Sequence, residues 1–110
     1  MNKHRRRVYM RWHHIFERCY NPKRKDYKYY GGKGIGVDSA WHNFGNFFAW
    51  YEVQTMLHRN VGDNAEVLVV DRIDETGYYS PWNCRLLTAA ENSRRAIHAR
   101  DSRGRFAIAK

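Results

Sequence analysis

Apolar residues near the amino terminus recur at the spacing of a helix. The recurring positions are separated by four, three and four residues, and they are Val8, Trp12, Ile15 and Cys19. Such a stripe is typical of an amphipathic helix that packs one face on a core. The pattern predicts a helix that ends before Asn21 and Pro22, because proline rarely continues a helix.

Residues 21–36 are rich in lysine, tyrosine and glycine, which predicts a loop. The glycines lack the spacing of a phosphate-binding P-loop. Lysines are interleaved with aromatic side chains at Tyr27, Tyr29 and Tyr30. These tyrosines either stack on nucleotide bases or pack within the protein, and the sequence leaves both interpretations open.

Aromatic residues dominate the next segment. We expect a short strand over residues 35–38 and a helix over residues 39–56 that Ser39 caps. One face of this helix is predicted to carry Trp41, Phe44, Phe48 and Tyr51, with Phe47 and Trp50 beside it. In a chain of 110 residues such a face is expected to form core rather than a cofactor site.

The pattern changes from strand to helix between residues 66 and 96. Residues 66–70 are rich in β-branched side chains and predict one strand. Turn-forming residues at 74–83 predict a reversal, and residues 84–88 predict the return strand. Thr88 and Glu91 have the spacing of a capping box, which predicts a helix after the second strand. We therefore expect an α+β protein.

The length of 110 residues predicts a single domain. Within it, residues 1–60 hold the basic helix, the loop and the aromatic helix, residues 61–97 hold the strand–reversal–strand–helix unit, and residues 98–110 form a basic tail. No apolar run has the length of a membrane helix, and the basic amino terminus lacks the apolar segment of a secretory signal. Cys19 and Cys84 form no CxxC pair, which favours a reducing cytoplasm and predicts no zinc site.

The formal net charge of +9 is concentrated at the two ends of the chain. Residues 1–25 carry nine Lys or Arg against one Glu, and residues 86–110 carry six against two acids, whereas residues 26–85 carry five against eight. Clustered cations of this kind favour binding to a phosphate backbone, with duplex DNA as the expected partner. The candidate contacts are Arg5, Arg6, Arg7, Arg11, Arg18, Lys23, Arg24, Lys25, Lys33, Arg94 and Arg95. The alternative is a protein whose charged ends are merely solvated.

Three short motifs in residues 71–92 resemble the HNH motif of the ββα-metal, or His-Me finger, endonucleases. They are Asp-Arg-Ile-Asp at 71–74, Asn-Cys-Arg at 83–85 and Glu-Asn at 91–92. With Tyr-Gly-Gly-Lys-Gly-Ile at 30–35 and Tyr-Ser-Pro-Trp-Asn-Cys-Arg at 79–85, the pattern is similar to that of small phage proteins related to this family. The resemblance covers residues 11–97.

The resemblance implies a metal-dependent DNA endonuclease or nickase on a ββα-metal fold. It implies that Asp71 and Asn92 hold one Mg²⁺ or Mn²⁺ ion and that Asn83 braces the reversal by hydrogen bonds. The implied catalytic set is Asp71, Arg72 and Asn83. If the protein is encoded by a phage, its expected location is the host cytoplasm.

Arg72 stands where the family has its histidine, the general base. A guanidinium stays protonated at neutral pH and cannot accept a proton from water. Three interpretations stay open: an inactive module that only binds DNA, with Arg72 as a phosphate clamp; another base, either a histidine such as His14 or His58 or bulk hydroxide; or slow catalysis in which Arg72 stabilises the transition state. A more distant alternative is an RNA-binding or partner-regulating protein.

His13 and His14 are adjacent, as histidines are in some metal-dependent nucleases. Those histidines end a strand, whereas these lie in the middle of a predicted helix, where neighbours point about 100° apart. Packing or phosphate contact is the expected role of both. They become candidates for catalysis only if the fold brings one of them beside Asp71.

Overall fold

The computed structural model describes residues 1–58 and 68–98, with side chains described through residue 94. Its helices are α1 (Lys3–Tyr20), α2 (Phe44–Leu57) and α3 (Ala89–His98), and its strands are β1 (Val69–Arg72) and β2 (Cys84–Leu87). Three 3₁₀ turns, at Tyr27–Tyr29, Gly31–Lys33 and Ser39–Trp41, connect α1 to α2. The architecture is α+β, as predicted. A loop predicted at residues 57–65 and the basic tail predicted at residues 98–110 lie almost entirely outside the described residues, which omit 59–67 and 99–110.

Helix α1 confirms the prediction from the apolar stripe. The Asn2 side chain caps it by accepting the backbone N–H of Arg5 at 2.8 Å. The helix ends at Tyr20, and its buried residues are Val8, Ile15 and Cys19. Trp12 is partly buried and donates its indole N–H to the backbone carbonyl of Trp41 at 2.7 Å. The stripe therefore attaches α1 to the aromatic segment that follows.

The predicted helix start at Ser39 is wrong. Residues Ser39–Trp41 form a 3₁₀ turn capped by Asp38, whose carboxylate accepts the backbone N–H of Ala40 at 2.9 Å. Helix α2 begins at Phe44, after the cap residue Asn43. Burial of Trp41 between the two caps explains the break, since packing of this ring decides the path of the backbone.

The aromatic face of α2 also differs from the prediction. Its buried residues are Phe47 and Tyr51, which are four positions apart, whereas Phe44 and Phe48 are only partly buried. Phe47 packs edge-on against the buried Trp41 ring, with 4.9 Å between ring centroids. The aromatic residues do form core: Trp41 and Tyr51 are buried as predicted, but Phe47 is buried with them in place of Phe44 and Phe48.

The short strand predicted over residues 35–38 is reduced to a single bridge between Val37 and Tyr79. The N–H of Asp38 donates to the carbonyl of Tyr79 at 2.8 Å, and the N–H of Tyr79 donates to the carbonyl of Gly36 at 3.0 Å. A Cβ at Gly36 would lie 2.8 Å from the Tyr20 hydroxyl, so a side chain there would force the Tyr20 ring to shift. The bridge joins the loop after α1 to the reversal between the strands.

Strands β1 and β2 form an antiparallel pair that places Asp71 opposite Arg85 and Arg72 opposite Cys84. The first strand begins later than predicted and includes both Asp71 and Arg72; positions 66 and 67 lie outside the described residues. The second strand confirms the prediction to within one residue, because it ends at Leu87.

The capping box predicted for α3 is confirmed. The Thr88 N–H donates to Glu91 Oε1 at 2.7 Å, and the Glu91 N–H donates to Thr88 Oγ1 at 3.1 Å. The chain thus runs β1, reversal, β2 and α3, with α3 packed on both strands. No helix in the described part of the chain has the length and apolar character needed to span a membrane.

Candidate metal and nucleic-acid site

A cavity of about 530 Å³ lies between α1, β1 and α3. It combines the polar face of α1 with the end of the first strand and the first turns of the last helix. Its lining residues are Arg11, His14, Ile15, Arg18, Tyr30, Val69, Val70, Asp71, Arg72, Glu75, Tyr79 and Asn92. Five of the candidate residues predicted from the sequence therefore face one space, namely Asp71, Arg72, Asn92, Arg11 and Arg18.

Asp71 is a buried carboxylate on the cavity wall, with 8% of the residue exposed. Its Oδ2 accepts a hydrogen bond from Arg85 Nε at 3.0 Å across the sheet. The pairing register creates this contact, because it places the two residues opposite each other. A metal ion at Asp71 would therefore share the carboxylate with a guanidinium.

Asn92 is the second candidate ligand, and it lines the same cavity as Asp71. It is exposed and lies in the first turns of α3, where its N–H donates to the Thr88 carbonyl at 2.9 Å. One carboxylate and one amide are hard oxygen donors of the kind that Mg²⁺ takes from proteins. The two residues fit an ion that obtains its remaining ligands from water and phosphate.

Among residues 1–58 and 68–94, no three His, Cys, Asp or Glu side chains are grouped closely enough to hold a metal ion. Such an all-protein cage is typical of structural metal sites, whereas Mg²⁺ commonly uses one or two carboxylates plus substrate phosphate. Cys19 and Cys84 are buried free thiols, and burial raises the pKa of Cys19 to about 11 and that of Cys84 to about 12. Both are therefore protonated at neutral pH.

Arg72 is held by the reversal between the strands. Its Nη1 donates to the carbonyl of Glu75 at 2.6 Å and to the carbonyl of Gly77 at 3.0 Å. The guanidinium also lies over two tyrosine rings, 5.2 Å from the centroid of Tyr30 and 5.0 Å from that of Tyr79. Arg72 thus brings positive charge to the cavity while serving as a structural anchor.

Asn83 makes the hydrogen bonds expected of a residue that braces the reversal. Its Oδ1 accepts the N–H of Asp74 at 2.9 Å, and its Nδ2 donates to the carbonyls of Asp74 at 3.0 Å and Tyr78 at 2.9 Å. Asn83 lines a smaller cleft and is absent from the lining of the cavity that contains Asp71. Its bracing role is confirmed, whereas a catalytic role stays a prediction.

Of the two adjacent histidines, His14 lines the cavity with Asp71. The pKa of His14 lies below its ordinary value of 6.5, chiefly because of desolvation and secondly because of the positive charge of Arg18. The neutral imidazole, which can accept a proton, is therefore favoured at neutral pH. His58, the other alternative base, instead lies 2.9 Å from Glu91 Oε1.

Several residues that were predicted to contact DNA already interact with other parts of the protein. Arg11 Nε donates to the Leu68 carbonyl at 2.6 Å, Arg24 binds Asp26 at 2.9 Å, and Arg5 lies over the Phe48 ring at 4.5 Å. Arg18 lies over the Tyr30 ring at 5.5 Å. The exposed candidates are Arg6, Arg7, Lys23, Lys25, Lys33 and Arg94. The Arg95 side chain lies outside the described side chains.

Sequence reasoning missed Arg85 and Tyr79 as members of the site. Arg85 follows the Asn-Cys pair directly, and its contact with Asp71 could have been inferred once the strand register was assumed. Tyr79 is buried, and desolvation raises the pKa of its hydroxyl. No pattern near Tyr79 indicated that Arg72 would lie over its ring.

No protein-family model matches this sequence, and no curated protein or solved structure matches it significantly.

Proposed function

We propose that this protein is an HNH-like DNA-binding protein that acts as a divalent-metal-dependent endonuclease or nickase of phage type. The observation that carries the proposal is the shared cavity, in which Asp71 and Asn92 face the basic side of α1. Oxygen donors for a cation and guanidinium groups for a phosphate are the two requirements of metal-assisted phosphodiester hydrolysis. The order β1, reversal, β2 and α3 supports the HNH-like interpretation.

Asp71 and Asn92 would hold one Mg²⁺ or Mn²⁺ ion, which when bound supplies charge stabilisation to the leaving oxygen. Arg11 and Arg18 line the cavity and place positive charge where a phosphate would enter. Asn83 and Arg72 keep the reversal in shape through their hydrogen bonds.

His14 is the residue we assign to accept the proton of the attacking water. It lines the cavity, and its lowered pKa favours the neutral imidazole. Arg72 occupies the position of the family's histidine but cannot act as a base, since a guanidinium remains protonated. His58 is engaged with Glu91 and does not line the cavity.

A second candidate is an inactive DNA-binding module on the same fold. The Asp71–Arg85 ion pair at 3.0 Å favours it, because a bound guanidinium competes with a metal ion for the carboxylate. In this case the cavity binds phosphate through its arginines alone, and binding is independent of metal.

Incubation of supercoiled plasmid with the protein in Mg²⁺, Mn²⁺ or chelator tests the proposal. We expect nicking that requires metal and is lost in Asp71→Asn, whereas Glu52→Gln, which removes a carboxylate outside the cavity, stays active. His14→Gln is expected to lower the rate by about 10²- to 10⁴-fold. The adjacent His13→Gln is the matched control, because His13 does not line the cavity.

Duplex binding in chelator, followed by fluorescence anisotropy, separates the candidates. Metal-independent binding without any cleavage would overturn the nuclease and leave the inactive module. Stronger binding to single strands or RNA than to duplex would overturn the DNA assignment and direct attention to Tyr29 and its neighbouring lysines.

A further inference from the structure

His58 connects the end of α2 to the start of α3, across 33 positions of sequence. It is the cap residue of α2, and its backbone N–H donates to the Thr55 carbonyl at 3.2 Å. Its side chain is only 12% exposed, and its Nε2 lies 2.9 Å from Glu91 Oε1. His58 is therefore held by contacts of both its backbone and its imidazole ring.

Glu91 Oε1 accepts a second hydrogen bond, from the Thr88 N–H of the capping box at 2.7 Å. An ionised carboxylate is only an acceptor, so the contact requires a proton on His58 Nε2. One carboxylate oxygen thus joins the first turn of α3 to the end of α2. This contact limits both rotation and sliding of α3.

Asn92 follows Glu91 directly and lines the cavity with Asp71. Glu91 and Asn92 lie in the same turn of α3, so a roll of the helix about its axis would move both side chains and swing the Asn92 amide away from Asp71. Ligand orientation depends on contacts one step removed from the ligand, and their loss typically weakens metal binding about 10- to 100-fold.

We propose that His58 is a positioning residue, which holds α3 so that the Asn92 amide faces Asp71. This inference rests on the proposed function, because it takes Asn92 as a metal ligand. The role differs from that of a general base, since His58 acts through Glu91 and does not line the cavity. Sequence reasoning considered His58 only as a base.

The chain offers a matched control in His4, whose Nε2 lies 3.0 Å from Glu52 Oε2. This second histidine–glutamate pair joins α1 to α2, and neither residue lines the cavity. A mutation of His4 therefore removes a similar contact between helices without touching α3.

The test titrates Mn²⁺ into the full chain saturated with a duplex oligonucleotide, with free Mn²⁺ measured by electron paramagnetic resonance and DNA alone as baseline. We expect His58→Ala to weaken Mn²⁺ binding by about tenfold. His58→Gln, whose amide N–H can replace the imidazole donor, should recover most of the affinity. His4→Ala should bind Mn²⁺ as the parent does.

Equal Mn²⁺ affinity in the parent and His58→Ala would overturn the positioning role and leave the proposed nuclease intact. An equal loss in His4→Ala would also overturn it, because the effect would then be a general loss of helix packing. If the parent binds no Mn²⁺ beyond DNA alone, the metal-dependent function fails, and the positioning role fails with it. Should His58→Ala unfold, His58→Leu, which removes the donor but keeps an apolar side chain of moderate size, takes its place with the same expected weakening.

Discussion

Arg72 joins parts of the chain that are far apart in sequence. Its guanidinium binds two carbonyls of the reversal and lies over Tyr30 from the first loop and Tyr79 from the reversal. Hydrogen bonds from a charged donor and contact with an aromatic face both become stronger when water is partly excluded. Arg72 therefore contributes to stability whatever it contributes to phosphate binding.

Arg72→Ala is expected to lower the free energy of unfolding by about 2 kcal/mol, because two carbonyls lose a charged donor. Urea denaturation followed by circular dichroism measures the change. Arg6→Ala is the control. Arg6 is exposed, so this substitution should change the free energy of unfolding by no more than about 0.5 kcal/mol. A change of that small size in Arg72→Ala would contradict the anchoring role.

At the level of elements, Asp26 connects the end of α1 to the loop that follows. It accepts hydrogen bonds from Arg24 Nε at 2.9 Å and Arg24 Nη2 at 3.2 Å, and Arg18 Nε lies 3.7 Å away. The hydrogen bonds from Arg24 lower the pKa of Asp26 below its ordinary value of 3.8. The folded state therefore stabilises the ionised form of Asp26.

A lowered pKa in the folded state means that the stability contributed by Asp26 is present above pH 3.8, its ordinary value, and is lost as the pH falls through the lowered value. We expect Asp26→Asn to reduce the acid sensitivity of the melting temperature in this window. Thermal melts at successive pH values, for the parent and Asp26→Asn, measure the difference. Parallel pH profiles for the two proteins would count against the Asp26 contacts.

Elements defined by local signals were the ones that the sequence predicted correctly. Helix α1 has a regular apolar stripe, and the capping box before α3 has both of its partners in the chain segment itself. The predicted start of α2 was wrong because Asp38, Ser39 and Asn43 are all residue types that cap helices. The burial of Trp41 decided which of them caps α2. Local chemistry could not rank the three.

At the level of the whole molecule, the basic face of α1 lies along the candidate site. Arg11, His14 and Arg18 line the cavity, and Arg7 lies on the same face of the helix by its spacing. Arg6 is adjacent in sequence but points about 100° away. If DNA enters along this face, the two neighbouring arginines contribute unequally.

Arg7→Gln is therefore expected to reduce the slope of log binding constant against log salt by about 1, the value for one lost phosphate contact. Arg6→Gln removes the same charge from an adjacent exposed position and should change the slope much less. Anisotropy titrations of a labelled duplex at several salt concentrations provide both slopes. Equal slopes in the two variants would show that only net charge matters and would exclude this face as the DNA-binding surface.

The sequence alone determined the α+β class, the apolar stripe and the end of α1, the capping box of α3 and the concentration of positive charge at the ends. These features depend on neighbours within a few residues or on composition. The tertiary structure decided which residues share the cavity, that Arg85 pairs with Asp71, and that His58 pairs with Glu91 rather than facing Asp71. Arg85 and Asp71 are 14 positions apart in sequence, and His58 and Glu91 are 33 apart. The sequence could not show these contacts, because strand register and helix packing bring such side chains together only after the chain has folded.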